Sequence, residues 1–110
     1  MKFKIETNPL TVNMAWQGRR FKSKDYLEYE KEVFYQLPKE SIKGEIEIHF
    51  LFNVKTYSRR DVDNMIKPLQ DILVKAGVID DDKNIVKLIA EKRKSKTNSV
   101  EVSIKKLLKG

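Results

Sequence analysis

The chain of 110 residues has no cysteine, one histidine, four glycines and three prolines. Without cysteine there are no disulfides and no thiolate metal ligands, which fits a reducing compartment. With one histidine besides, a zinc centre or a cysteine–histidine nucleophile pair has little to be built from. Ser58 has no histidine partner nearby, so a serine-hydrolase reading is equally weak. The glycine-rich phosphate loop and the dinucleotide fingerprint are both absent. No apolar run is long enough for a signal peptide or a membrane span, and a cytoplasmic setting is expected. Few chain breakers and 40% hydrophobic residues argue against disorder and for one folded domain over residues 1–110 with a modest core.

What is abundant is positive charge, a formal +7, and it is uneven. One group is Arg19, Arg20, Lys22 and Lys24, beside Trp16 and Phe21. Another is Lys92, Arg93, Lys94 and Lys96, continued by Lys105, Lys106 and Lys109, while Arg59 and Arg60 stand between them in sequence. A single surface lysine mostly serves solubility. The clustered distribution favours a nucleic-acid partner held through its phosphates.

Hydrophobic period organises the chain. Residues 2–6 alternate and predict a strand, ended by Pro9. Residues 11–16 suggest a short extended segment and Gly18, Arg19 and Arg20 a turn. Ser23 predicts the N-cap of a helix to about Leu37, with Tyr26, Tyr29 or Glu30, Val33, Phe34 and Leu37 near helical spacing and Pro38 ending it. Over residues 42–54 the period becomes two, with Ile46, Ile48, Phe50, Phe52 and Val54 on one side. The stripe Met65, Ile66, Leu69, Ile72, Leu73 and Ala76 predicts a helix, with Asp63 as N-cap and Gly77 as C-terminal cap. Pro68 lies inside that stripe. Residues 85–92 and the run Val100, Val102, Ile104 predict two more strands. The expected fold is α+β: a single domain with a mixed β-sheet of about four strands and two main helices packed on it.

Against this basic background, five aspartates gather in two places, Asp61 and Asp63 before the second helix and Asp80, Asp81 and Asp82 after it. If the later cluster folds back beside the earlier one, hard oxygen donors surround a small volume. A divalent cation is then the natural compensation for their repulsion. Lys67, one turn after Asp63, could orient a carboxylate or stabilise charge on a phosphate. Plainer readings stand beside these. Asp63 could only cap the helix, Asp61 could pair with Arg59 or Arg60, Asp80 to 82 could be a polar turn, and Lys67 an ordinary surface lysine. His49 falls among the outward residues of a strand, which argues against catalysis.

The run Arg60-Asp61-Val62-Asp63-Asn64, then Met65-Ile66-Lys67, then Lys75-Ala76-Gly77-Val78-Ile79 and Asp80-Asp81-Asp82 resembles the RusA family of Holliday-junction resolvases, found in bacteria and their prophages. The likeness is strong over residues 45–93 and weaker in the N-terminal third. It implies a homodimeric, Mg²⁺-dependent endodeoxyribonuclease, with Mn²⁺ as a substitute ion, acting on four-way branched DNA. Carried over by position, it implies Asp61, Asp63 and Asp82 as catalytic metal ligands, supported by Asp81, with Lys67 as the catalytic lysine. The basic residues Arg19, Arg20, Lys22, Arg59, Arg60, Lys92, Arg93, Lys94 and Lys96 are the expected DNA contacts. A less selective structure-specific nuclease, a noncatalytic branched-DNA-binding module and a protein-binding domain are the alternatives.

Overall fold

The structure, a computed structural model, describes residues 1–8, 16–17, 21–56 and 61–107. The expectations placed on residues 9–15, 18–20 and 57–60, Arg19, Arg20, Arg59 and Arg60 included, lie outside the described residues. So does the end of the tail at residues 108–110.

In chain order the elements are β1 (Lys2–Ile5), β2 (Trp16–Gln17), β3 (Phe21–Lys22), α1 (Lys24–Gln36), β4 (Ile46–Val54), α2 (Val62–Lys75), a 3-10 turn (Asp82–Asn84), β5 (Ile85–Lys94) and β6 (Ser99–Lys106). Four strands form one sheet in the order β1-β6-β4-β5, and β2 pairs with β3 separately. The β4–β5 pair is parallel, while β6 runs antiparallel to both β1 and β4. The sheet is therefore mixed, with two helices, as the hydrophobic pattern predicts.

β4 occupies the centre because its alternation is nearly complete. Ile46, Ile48, Phe50, Phe52 and Val54 are at most 1% exposed, and Tyr26, Tyr29, Val33, Met65, Leu69, Ile72 and Leu73 of the helices join them in one core. Burying each large side chain of this kind contributes about 2 kcal/mol. In register, Ile48 faces Ile104, Phe50 faces Val102 and Phe52 faces Val100, so the inner face continues across β6. Phe50 and Phe52 themselves meet at 5.8 Å between ring centres. The strand begins four residues later than the alternation suggests. Gly44 takes a left-handed backbone, φ +83, and Ile42 makes only an isolated bridge to Ile79.

α1 starts where Ser23 accepts the Tyr26 N–H through its hydroxyl at 3.1 Å and stops at Leu37. There the following proline enforces an extended conformation, ψ 145. Phe34, on the apolar stripe by spacing, is 37% exposed, because α1 turns only Tyr26, Tyr29 and Val33 fully inward. A Lys75–Glu30 ion pair at 2.8 Å ties α2 to α1. α2 ends as its sequence predicts. Gly77 takes φ +80, its N–H reaches the Val74 carbonyl, and the Val78 N–H reaches that of Leu73, both at 3.0 Å. This paired closure satisfies two terminal carbonyls and needs the left-handed residue.

Candidate active site

The start of α2 differs from expectation by a residue pair. The first helical residue is Val62, which packs against the core and draws the chain into the helix early. Asp61, not Asp63, occupies the N-cap position, and its side chain accepts no capping hydrogen bond. Asp63 sits in the first turn instead. Both residues are exposed, at the end of a helix where unsatisfied N–H groups favour negative charge. The Asn64 side-chain amide reaches the Asp61 carboxylate at 3.5 Å.

Three consecutive aspartates at the far end of α2 have three different partners. Asp80 accepts the Gly44 N–H at 3.3 Å and so fastens the lead-in to β4. Asp81 caps the 3-10 turn through the Lys83 N–H at 3.0 Å, and that bond holds its carboxyl below the usual range. Asp82 faces Lys67, whose Nζ lies 3.3 Å from its Oδ2. Lys67 also donates to Asp71, one turn further along α2, at 2.8 Å. The Asp71 bond, with a further contribution from Asp82, raises the Lys67 pKa. It is a fixed cation at neutral pH and not a base.

α2 separates these two groups. Its 14 residues span about 21 Å at 1.5 Å per residue, and the eight residues from Asp63 to Asp71 span about 12 Å. Lys67 holds Asp71 and Asp82 together, and among the described residues Asp82 is not gathered with Asp61 and Asp63 into one cluster. Among the described residues, no three carboxylate or imidazole groups are gathered tightly enough to hold a metal. The expected folding back of the later cluster reaches Lys67 and stops there. The donor chemistry still fits a hard divalent cation: Asp61 and Asp63 offer exposed oxygens, and Asp61 is not consumed by capping.

Two residues of this region are not marked by the sequence as neighbours of the site. Asp71 is legible in retrospect as an i, i+4 partner of Lys67. Tyr26 of α1 is buried, and its pKa is pushed up to about 12, first by burial and then by Glu30 and Asp71. No spacing rule joins it to α2.

The sheet supplies basic residues where β4 ends. Val54 pairs with Lys94, and the Ser95 N–H reaches the Val54 carbonyl at 3.0 Å, so β5 ends beside the end of β4. Lys94 and Lys96 are exposed there, and Lys92 is half-buried. Arg93 is tied into a network on the outer face, donating to Asn53 at 3.1 Å and to Glu101 at 3.2 Å. Lys22 is placed only by its backbone in β3. His49 lies 2.7 Å from Glu91 on the outer face. A depression of about 560 Å³ on that face, lined by Lys2, Glu47, His49, Ile89 and Lys105, contains none of the aspartates.

With this geometry in hand, comparison with known proteins is decisive: a family model for endodeoxyribonuclease RusA matches residues 5–105. The chain belongs to the RusA family. The crossover junction endodeoxyribonuclease RusA of Aquifex aeolicus (strain VF5) is 32% identical over 81 residues, 69% of this chain and 64% of that protein. This RusA-family chain thus matches less than two thirds of that relative's length. The matched region contains both aspartate clusters, Lys67, β4, β5 and all of β6 but Lys106, with only Ile5 of β1.

Proposed function

We propose that the chain is a divalent-cation-dependent endodeoxyribonuclease that resolves four-way DNA junctions by paired phosphodiester hydrolysis. The observation that carries this reading is the pair of exposed carboxylates at the mouth of α2 in a chain of the RusA family.

Asp61 and Asp63 would hold Mg²⁺ or Mn²⁺, with Asp82 completing the set and Asp81 supporting it through the turn it caps. When bound, the ion supplies charge neutralisation at the phosphate and lowers the pKa of water. The chain's own groups do the rest. Lys94 and Lys96 hold the DNA backbone where β4 ends, and Lys67, fixed between Asp71 and Asp82, adds positive charge where the phosphorane oxygens develop theirs. Because Asp82 is not gathered with Asp61 and Asp63 in one chain, a twofold pair of chains is the assembly that can complete the donor set. The same symmetry presents two sites to the two equivalent strands of a junction.

The test compares cleavage of four-way, three-way, flap and linear DNA in Mg²⁺ and in chelator, with Asp63→Asn alongside. Expected are paired nicks in the four-way substrate only with Mg²⁺, and an Asp63→Asn protein that still binds DNA but has lost most cleavage. Equal cutting of all substrates would replace junction resolution with a less selective nuclease. Tight binding without any product would leave a DNA-binding module.

A further inference from the structure

Among the described residues β5 is paired by β4 on one side only, and its other side carries the backbone donors and acceptors of a ten-residue strand. It contains neither proline nor glycine. Val86, Leu88 and Ile89 are 50%, 38% and 39% exposed along it. The single irregularity falls between the Ile46–Ile85 and Glu47–Lys87 pairs, so residues 87–94 form a regular edge. A long, regular, partly apolar edge of this kind invites another strand.

The sequence of the edge specifies which strand. A strand meeting its own copy across a twofold axis normal to the sheet runs antiparallel to it, and residues on the same face meet in pairs. The outer face of β5 carries Lys87, Ile89, Glu91 and Arg93, which sit opposite Glu47, His49, Leu51 and Asn53 of β4. Centring the axis on Ala90 sets Lys87 against Arg93, and centring it on Glu91 sets that carboxylate against itself. Centring it on Leu88 leaves Lys87 opposite Ile89. Centring it on Ile89 sets Lys87 against Glu91 twice, Ile89 against Ile89, and on the helix side Leu88 against Ala90. Lys87 and Glu91 are already steadied from within the chain, by Glu47 at 3.2 Å and His49 at 2.7 Å. Each pairing would therefore extend a row of polar contacts across four strands, from Glu47 and Lys87 to the Glu91 and His49 of the second copy.

We propose that β5 pairs antiparallel with β5 of a second copy, centred on Ile89, to form a continuous eight-stranded sheet. This deepens the proposed function by naming the surface that makes the pair, and it rests on that reading only in its need for two chains.

The chain lacks cysteine, so a single introduced thiol reports the register directly. Across an antiparallel pair, Cα atoms stand about 4.5–5.5 Å apart, within disulfide range. Ile89→Cys is expected to form a cross-linked dimer on mild oxidation. Lys87→Cys, offset by four residues or about 13 Å from its copy, is expected to form none. In sedimentation, Lys87→Glu and Glu91→Lys should each weaken the dimer about tenfold, and the two together should restore it, with circular dichroism checking that every variant is folded. A monomer, cross-linking as fast at 87 as at 89, or a dimer indifferent to both reversals would overturn the proposal. These measurements use neither DNA nor cation. A dimer with the predicted register but no cleavage would sink the nuclease and keep the interface, while cleavage by a protein that fails the cross-linking test would do the reverse.

Discussion

Replacing Lys67 with methionine separates its two roles. The ammonium is 2.8 Å from Asp71 and 3.3 Å from Asp82, and all three side chains are between 35% and 56% exposed. Ion pairs this wet are worth at most about 1 kcal/mol each, so losing both costs at most about 2 kcal/mol of stability. For a domain of this size that lowers Tm by no more than about 10 °C. Methionine keeps the aliphatic length that lies along α2. The loss leaves Asp71 and Asp82 facing each other without their cation, which makes a divalent ion more welcome there. Junction cleavage should fall by about a hundredfold or more, yet millimolar Mg²⁺ should raise the variant's melting temperature at least as much as it raises the parent's. The assay pairs urea and thermal unfolding, with and without Mg²⁺, with single-turnover cleavage. A loss above about 3 kcal/mol would mean that Lys67 belongs to the core network. Unchanged cleavage at equal folded fraction would refute its catalytic role.

The aspartate triplet should divide by partner. Asp82→Asn is expected to abolish most cleavage with little loss of stability, Asp81→Asn to be intermediate because it caps the 3-10 turn, and Asp80→Asn to stay active; an inactive Asp80→Asn beside an active Asp82→Asn would reassign the ligand. The buried Tyr29 hydroxyl has no hydrogen-bond partner among the described residues, so Tyr29→Phe should stabilise the fold by about 1 kcal/mol in urea titration, and a clear loss would reveal a hidden partner. The raised tyrosine pKa values fix an alkaline limit. Above pH 10 the unfolded chain ionises at Tyr26 before the folded one does, so stability is full below pH 10 and falls until about pH 12, by about 2 kcal/mol from this residue; urea midpoints that stay level across that range would contradict the burial of its hydroxyl. DNA binding should weaken steeply as salt rises, because phosphate contacts release counterions, and a flat response would remove the basic footprint.

How much could be read from sequence depended on whether a signal was local. The strict alternation of Ile46, Ile48, Phe50, Phe52 and Val54 marked the central strand, and the stripe from Met65 to Leu73 with Gly77 marked α2, because each depends on one element's own periodicity. The N-cap fell on Asp61 rather than Asp63 because Val62 is held by tertiary packing, which overrides a capping preference worth only about 1 kcal/mol. Val86 went unread as the extra residue of a parallel pair, since register is set by β4 and not by β5 alone. The acidic triplet was visible as a cluster, but its division among Gly44, Lys83 and Lys67 depends on three separate backbone positions. The place of Asp82 beside Lys67, and not with Asp61 and Asp63, is set by tertiary structure, which no local period records.

Pro68 has no N–H, so the Asn64 carbonyl lacks its usual partner one turn along α2. The turn that carries Asp61, Asp63 and Asn64 is therefore joined to the rest of the helix by one bond fewer than its neighbours. In amide hydrogen exchange, the protons of residues 62–67 should be released by local opening, while those of Leu69, Ile72 and Leu73 wait for unfolding of the core. A DNA strand pressing on the helix mouth would then meet a turn that can adjust its carboxylates without disturbing the packing of the sheet.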